Sequence, residues 1–126
     1  MISGLSATFQ IENHARMVTI GVATYWDLTA TRLCKSIDWE SLSPGETKTV
    51  TIYVKNIGDG PITGSFTLMS WDPPEAEDFL PLEWNFGDQP LLPGRIRPTH
   101  FTLRVSPNIR NVTNFFFIIQ VIGTQV

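Results

Sequence analysis

Cysteine is almost absent from this sequence of 126 residues, since Cys34 is the single one. An intrachain disulfide is therefore excluded, and with it the bridge between sheets that stabilises antibody domains. No second cysteine lies at a metal-ligand spacing from Cys34, so we interpret it as a small, partly buried hydrophobic side chain. A chain of this length buries enough surface to fold without a disulfide or a structural metal.

Charge is also scarce. Only 17% of the residues are charged, and 9 Lys and Arg stand against 12 Asp and Glu, for a net charge of −3. The sequence thus lacks the basic excess by which nucleic-acid-binding proteins are recognised, and we expect no nucleic-acid partner. Because 42% of the residues are hydrophobic, disorder is equally unexpected.

Long apolar runs are missing as well. The longest extends from Phe115 to Ile119 and is much shorter than the ~20 residues that a membrane-spanning helix requires. The first residues, Met1 to Asn13, contain neither a basic segment nor an apolar one, so no secretory signal is predicted there. We therefore expect no transmembrane segment.

Residues suited to catalysis or metal binding are few. The two histidines, His14 and His100, have no Gly-x-Ser-x-Gly partner motif for nucleophilic catalysis. A blue-copper site needs two histidines, a cysteine and usually a methionine, and such sites gather these ligands in one late loop. The late loops of this chain carry none of them. We predict no enzyme activity, no catalytic residue, no cofactor and no metal centre.

What the sequence does have is a strand pattern with period two. Residues Thr49–Lys55, Ile62–Ser70 and Pro98–Ser106 alternate between apolar and polar side chains. Further strands are predicted around Val18–Val22 and Leu80–Phe86, one short helical turn at Pro74–Phe79, and clusters of Gly and Pro lie between these segments. The pattern predicts one all-β domain over residues 1–126, an immunoglobulin-like antiparallel β-sandwich of about seven to nine strands.

One short internal repeat supports a single domain. Leu42-Ser43-Pro44-Gly45 and Leu91-Leu92-Pro93-Gly94 lie 49 residues apart, too close for two complete domains. In each copy we expect Pro-Gly to form a turn that leads into a core strand.

Several of these segments together resemble a known group of proteins. They are Gly21-Val22-x-x-Tyr25-Trp26-Asp27, Ser36-Ile37-Asp38-Trp39, Leu42-x-Pro44-Gly45-Glu46, Val50-Thr51-Ile52-Tyr53-Val54-Lys55-Asn56-x-Gly58, Leu82-x-Trp84 and Leu91-x-Pro93-Gly94. The combination is similar to the immunoglobulin-like domain of secreted or cell-surface archaeal proteins, mostly uncharacterised, over residues 21–123. The resemblance implies an extracellular or cell-surface location and a role without catalysis, and it carries no functional residues to transfer.

The C-terminal strand is apolar on both faces, which is unusual for a sandwich strand. Phe115, Phe117, Ile119 and Val121 form one face, and Phe116, Ile118 and Ile122 form the other. The second face is covered either by the same chain or by another subunit. The N-terminal segment, within residues 1–15, is predicted to form an extra edge strand or an exchanged strand. The candidate interface residues are Phe116, Ile118, Ile122, Leu5, Phe9 and Ile11.

A second candidate site lies where Trp71 adjoins an acidic loop. Trp71 follows the outward-facing Met69 and is the best candidate for an exposed aromatic side chain able to stack on a sugar ring. The candidate ligand contacts are Trp71, Asp72, Glu75, Glu77 and Asp78, the last four of which offer oxygens to calcium. Asn111-Val112-Thr113 fits the glycosylation pattern.

These observations lead to one functional expectation and one alternative. We expect a non-catalytic structural or protein-interaction module of a cell-surface or extracellular assembly, whose partner is a protein, in particular a second copy of the chain in a homo-oligomer or filament. The alternative is a carbohydrate- or calcium-binding module centred on Trp71 and the acidic loop.

Overall fold

A computed structural model describes residues 6–11, 21–110, 112 and 114–126, and for residues 8–11 it describes the backbone alone. The elements are, in chain order, β1 (Ser6–Ile11), β2 (Val22–Tyr25), β3 (Thr47–Asn56), β4 (Ile62–Asp72), a 3₁₀ helix (Pro74–Phe79), β5 (Leu82–Trp84), β6 (Ile96–Arg104) and β7 (Phe116–Gln125). In the described part of the chain there are thus seven strands and one short helix.

The strands form two antiparallel sheets. One has three strands in the order β1-β7-β4, and the other has four in the order β2-β3-β6-β5. The prediction of an all-β fold with antiparallel sheets is confirmed, and the arrangement is consistent with a β-sandwich. Within residues 6–11, 21–110, 112 and 114–126, no helix is long and apolar enough to cross a membrane.

The apolar positions of the predicted alternation form the core. In the four-stranded sheet Ile52, Phe101 and Leu103 are fully buried, and in the three-stranded sheet Val121 is fully buried. Strand periodicity places every second side chain on one face, so alternating sequences bury one face of each sheet. Rings add a second level of packing, since Phe66 lies edge-on to Trp84 at 5.0 Å between centroids.

The two Pro-Gly turns lie where the sequence predicted them. The Glu46 N–H donates to the Ser43 carbonyl at 3.0 Å, and the Arg95 N–H donates to the Leu92 carbonyl at 3.1 Å. Gly45 and Gly94 have φ of 81° and 77°, which a type II turn requires at its third residue and which glycine adopts without strain. Each turn leads directly into a central strand, β3 or β6.

Asn56 connects two loops at one end of the four-stranded sheet. Its fully buried side-chain amide donates to the carbonyls of Gly60 at 2.8 Å and Leu91 at 2.9 Å and accepts from the Gly58 N–H at 2.9 Å. Buried polar groups require such partners. Asn56 therefore holds the β3–β4 loop to the segment that precedes β6.

Candidate interaction surface

The edge strand β1 comes first along the chain and pairs with the last strand, β7. The register extends from Ser6 opposite Thr124 to Ile11 opposite Ile119. The other edge of β7 pairs with β4, from Gln125 opposite Ile62 to Phe116 opposite Asp72. Strand β1 therefore lies at the outer edge of the three-stranded sheet, in the N-terminal segment for which the sequence predicts an edge strand or an exchanged strand.

A row of small residues crosses this sheet. Ala7 on β1 lies opposite Gly123 on β7, which lies opposite Gly64 on β4. A Cβ atom added at Gly64 would lie 2.7 Å from the Phe86 ring, and one added at Gly123 would lie 3.2 Å from the Cβ of Val22. Val22 of β2 and Phe86, which follows β5, therefore pack closely against this row. Ala7 is fully buried, so it extends the same close contact onto β1.

The outward face of β7 carries the predicted apolar residues Phe116, Ile118 and Ile122. All three are half-buried, and Met69 on β4 lies opposite Ile118. Of the other candidate interface residues, Leu5 lies outside the described residues. The backbones of Phe9 and Ile11 pair with Val121 and Ile119, but their side chains are not described.

A cleft of about 800 Å³ lies beside the beginning of β7, a volume typical of ligand-binding sites. Apolar residues that line it include Trp39, Leu42 and Phe117, and charged ones include Glu40 and Arg110. In the part of the chain that the structure describes, the residues of β7 before Ile119 have a strand partner only on the β4 side. The cleft therefore lies along the section of β7 that β1 does not reach.

Trp71 does not lie where the alternation predicted it. The pairing of Met69 with Ile118 is followed by that of Asp72 with Phe116, so two residues of β4, Ser70 and Trp71, lie opposite one residue of β7. This β-bulge, at which Ser70 has φ of 58°, shifts the alternation by one position. Trp71 is consequently half-buried and stacks on Phe117 at 4.4 Å between ring centroids.

The indole nitrogen of Trp71 is buried without a hydrogen-bond partner. The ring is thus held by apolar contact alone, and the expectation of an exposed aromatic side chain at this position is corrected.

The acidic loop, Asp72–Asp78, includes the first residues of the 3₁₀ helix. Asp72, Glu75, Glu77 and Asp78 are all exposed. Among the described residues, no three side chains of His, Cys, Asp or Glu come together in a group that could hold a metal ion. The helix instead buries its apolar residue, since Ala76 is fully buried.

Asp27 lies just after β2 and accepts hydrogen bonds from the loop that follows it. Its carboxylate accepts hydrogen bonds from the backbone N–H groups of Thr31 and Arg32, each at 3.0 Å, and from the hydroxyls of Thr29 and Thr31. These bonds, first that of the Thr31 hydroxyl and then that of the Arg32 N–H, hold the pKa of the Asp27 carboxyl well below its usual range. Asp27 thus acts as a fixed negative charge that shapes the Asp27–Arg32 loop.

The remaining residues named from the sequence have ordinary positions. Cys34 is fully buried, and thus more deeply than the partly buried position predicted for it. His100 is exposed, and its Nδ1 lies 2.7 Å from the Thr51 hydroxyl. His14, Asn111 and Thr113 lie outside the described residues.

The sequence did not predict the structural roles of Asn56 and Arg97. Asn56 looks like a turn residue in the sequence, and only the fold brings it to the Leu91 carbonyl. Arg97 lies over the Phe86 ring, with its guanidinium carbon 4.4 Å from the centroid, and donates to the Gln89 carbonyl at 2.8 Å. The bond of Asn56 to the Leu91 carbonyl and the contact of Arg97 with the Phe86 ring have no local sequence signal, because these partners are 35 and 11 residues away in the chain.

Comparison of the chain with protein-family models, with curated proteins and with solved structures found no match.

Proposed function

We propose that this chain is a non-catalytic interaction module with an immunoglobulin-like fold, which joins other copies of itself in a cell-surface or extracellular assembly. The proposal rests on the position of β1, which is an edge strand of the three-stranded sheet β1-β7-β4. A sheet edge provides unpaired N–H and C=O groups that bind an added strand of any origin, so it is a natural place for one protein to join another.

The strand order supports the immunoglobulin-like part of the proposal. In that fold one sheet has the order A-B-E-D and the other the order C-F-G. If β2 to β7 are taken as strands A to F, the four-stranded sheet β2-β3-β6-β5 reads A-B-E-D, and β4-β7 reads C-F. The remaining place, that of the last strand G, is held by β1, the first strand.

The outward face of β7 supports the interaction part. Phe116, Ile118 and Ile122 are half-buried in the described chain, so each still has apolar surface to give to a partner. Association that covers such side chains is favourable by about 25 cal/mol for each Å² of apolar surface removed from water. The compartment in the proposal rests on the resemblance of residues 21–123 to secreted or cell-surface domains.

The experiment is the solution mass of the purified protein, measured by light scattering across a concentration series. The proposal expects a mass that rises above the 14.2 kDa of one chain as concentration increases. The proposal is overturned if the mass equals that of one chain at every concentration and does not change after prolonged incubation.

A further inference from the structure

We propose that the strand passed between copies is β1 itself, so that β1 of one copy pairs with β7 of a second copy in the register seen within one chain. This inference rests on the proposed function and names the partner, a second copy, and the element that it contributes. Every copy carries both parts, because every copy has a β1 and a β7 edge.

The β1–β7 pairing has the same chemistry within one chain and between two copies. Strand β1 contacts β7 through backbone pairing and through the small-residue row Ala7–Gly123–Gly64. A β1 strand from another copy makes the same backbone pairs and the same row. Closed and exchanged forms thus contain the same strand contacts, which makes exchange of an identical element an inexpensive route to assembly.

The length of the chain between β1 and β2 is compatible with exchange. Nine residues, 12–20, join Ile11 to Gly21, and nine residues span at most about 30 Å. Val22 packs next to Gly123, whereas Ile11 lies opposite Ile119. Those β7 positions are about 13 Å apart along the strand, and the two sheets lie about 10 Å from each other. The connection therefore has about twice the length that pairing within one chain needs, so its length does not tie β1 to its own sheet.

Protein concentration decides between pairing within one chain and pairing between copies. A strand tethered to its own sheet acts at an effective concentration on the order of mM. The β1 strand of a second copy therefore competes with it when the protein concentration is also on the order of mM. Exchange is accordingly expected to be favoured in a dense assembly and slow in dilute solution.

The test is disulfide trapping between two full-length variants. Both carry Cys34→Ala, one carries Gln10→Cys and the other, with a larger tag, carries Gln120→Cys. Gln10 and Gln120 are opposite each other in the register, at a Cα separation that a disulfide can bridge. The variants are mixed, unfolded and refolded together at high concentration, oxidised, and separated on a non-reducing gel.

The matched control replaces Gln120→Cys by Thr67→Cys. Thr67 lies opposite Gln120 on the far side, on β4, so it is two strand spacings or about 10 Å from Gln10, too far for a disulfide. The proposal expects a mixed disulfide dimer at least five-fold more abundant for Gln10→Cys with Gln120→Cys than for the control.

An equal yield of mixed dimer in the two mixtures overturns exchange of β1. Light scattering on the same samples separates this failure from that of the proposed function. If the mass rises while the two yields remain equal, the copies associate through another surface and the proposed function survives. If the mass stays that of one chain, both proposals fail.

Discussion

Replacement of Asn56 by alanine is the sharpest test of how the loops at one end of the four-stranded sheet are held. The side chain is fully buried and makes three hydrogen bonds, to Gly60, Leu91 and Gly58. Each net hydrogen bond contributes about 1 kcal/mol, so Asn56→Ala is expected to lower the free energy of unfolding by about 3 kcal/mol. For a domain of this size that corresponds to a fall in melting temperature of roughly 10 °C.

The assay is urea unfolding followed by fluorescence, with thermal melts in parallel. Asn56→Asp nearly preserves the volume and removes the two donated bonds, so it should be destabilised at least as much as Asn56→Ala. The matched control is Thr49→Ala, since the Thr49 hydroxyl makes an exposed bond to the Thr102 hydroxyl at 3.2 Å, and surface changes of this kind alter stability by about 0.5 kcal/mol or less. A loss of unfolding free energy below about 1 kcal/mol for Asn56→Ala would show that these three hydrogen bonds do not hold the loops.

Three further predictions concern other parts of the molecule. Because the pKa of the Asp27 carboxyl is lowered in the folded state, its contribution to stability is present above the unfolded pKa of about 3.9 and is lost as pH falls from there through the lower folded pKa. Thermal melts of Asp27→Asn should therefore depend less on acid pH than those of the wild type. A Cβ at Gly64 would meet the Phe86 ring at 2.7 Å, so Gly64→Ala should lower stability by about 1–3 kcal/mol, whereas Gly60→Ala, whose nearest contact is 3.8 Å away, should not. Calcium should leave the melting temperature unchanged, because no three carboxylates of the fully described acidic loop converge; a rise with calcium, absent with magnesium, contradicts this.

Much of the fold could be predicted because it depends on local signals. Alternation located Thr49–Lys55 within β3 and Pro98–Ser106 around β6, and the two Pro-Gly pairs located the turns before those strands. The prediction of a short helical turn at Pro74–Phe79 matches the 3₁₀ helix, since a proline at the start and a small apolar residue at Ala76 are local features.

The position of Trp71 could not be predicted in the same way. An alternating pattern places Trp71 on the same face as Met69, and a single extra residue in the bulge reverses that placement. Whether a bulge forms depends on how β4 pairs with β7, which lies more than 40 residues further along the chain, so no local pattern reveals it. The pairing of β1 with β7 also joins segments that are distant in the chain. The sequence therefore predicts which strands carry the candidate interface residues but not which strand each of them pairs with.

We claim that β1 completes the three-stranded sheet beside β7, and amide hydrogen exchange of Ala7→Glu tests this claim. Ala7 is fully buried, whereas its neighbour Ser6 is exposed, so Ser6→Glu is the matched control. A buried, unpaired carboxylate should drive β1 off the sheet. We predict that alternate amides of residues 119–124 lose protection in Ala7→Glu and keep it in Ser6→Glu, while β3 and β6 stay protected in both. Unchanged protection of residues 119–124 in a folded Ala7→Glu would contradict the claim.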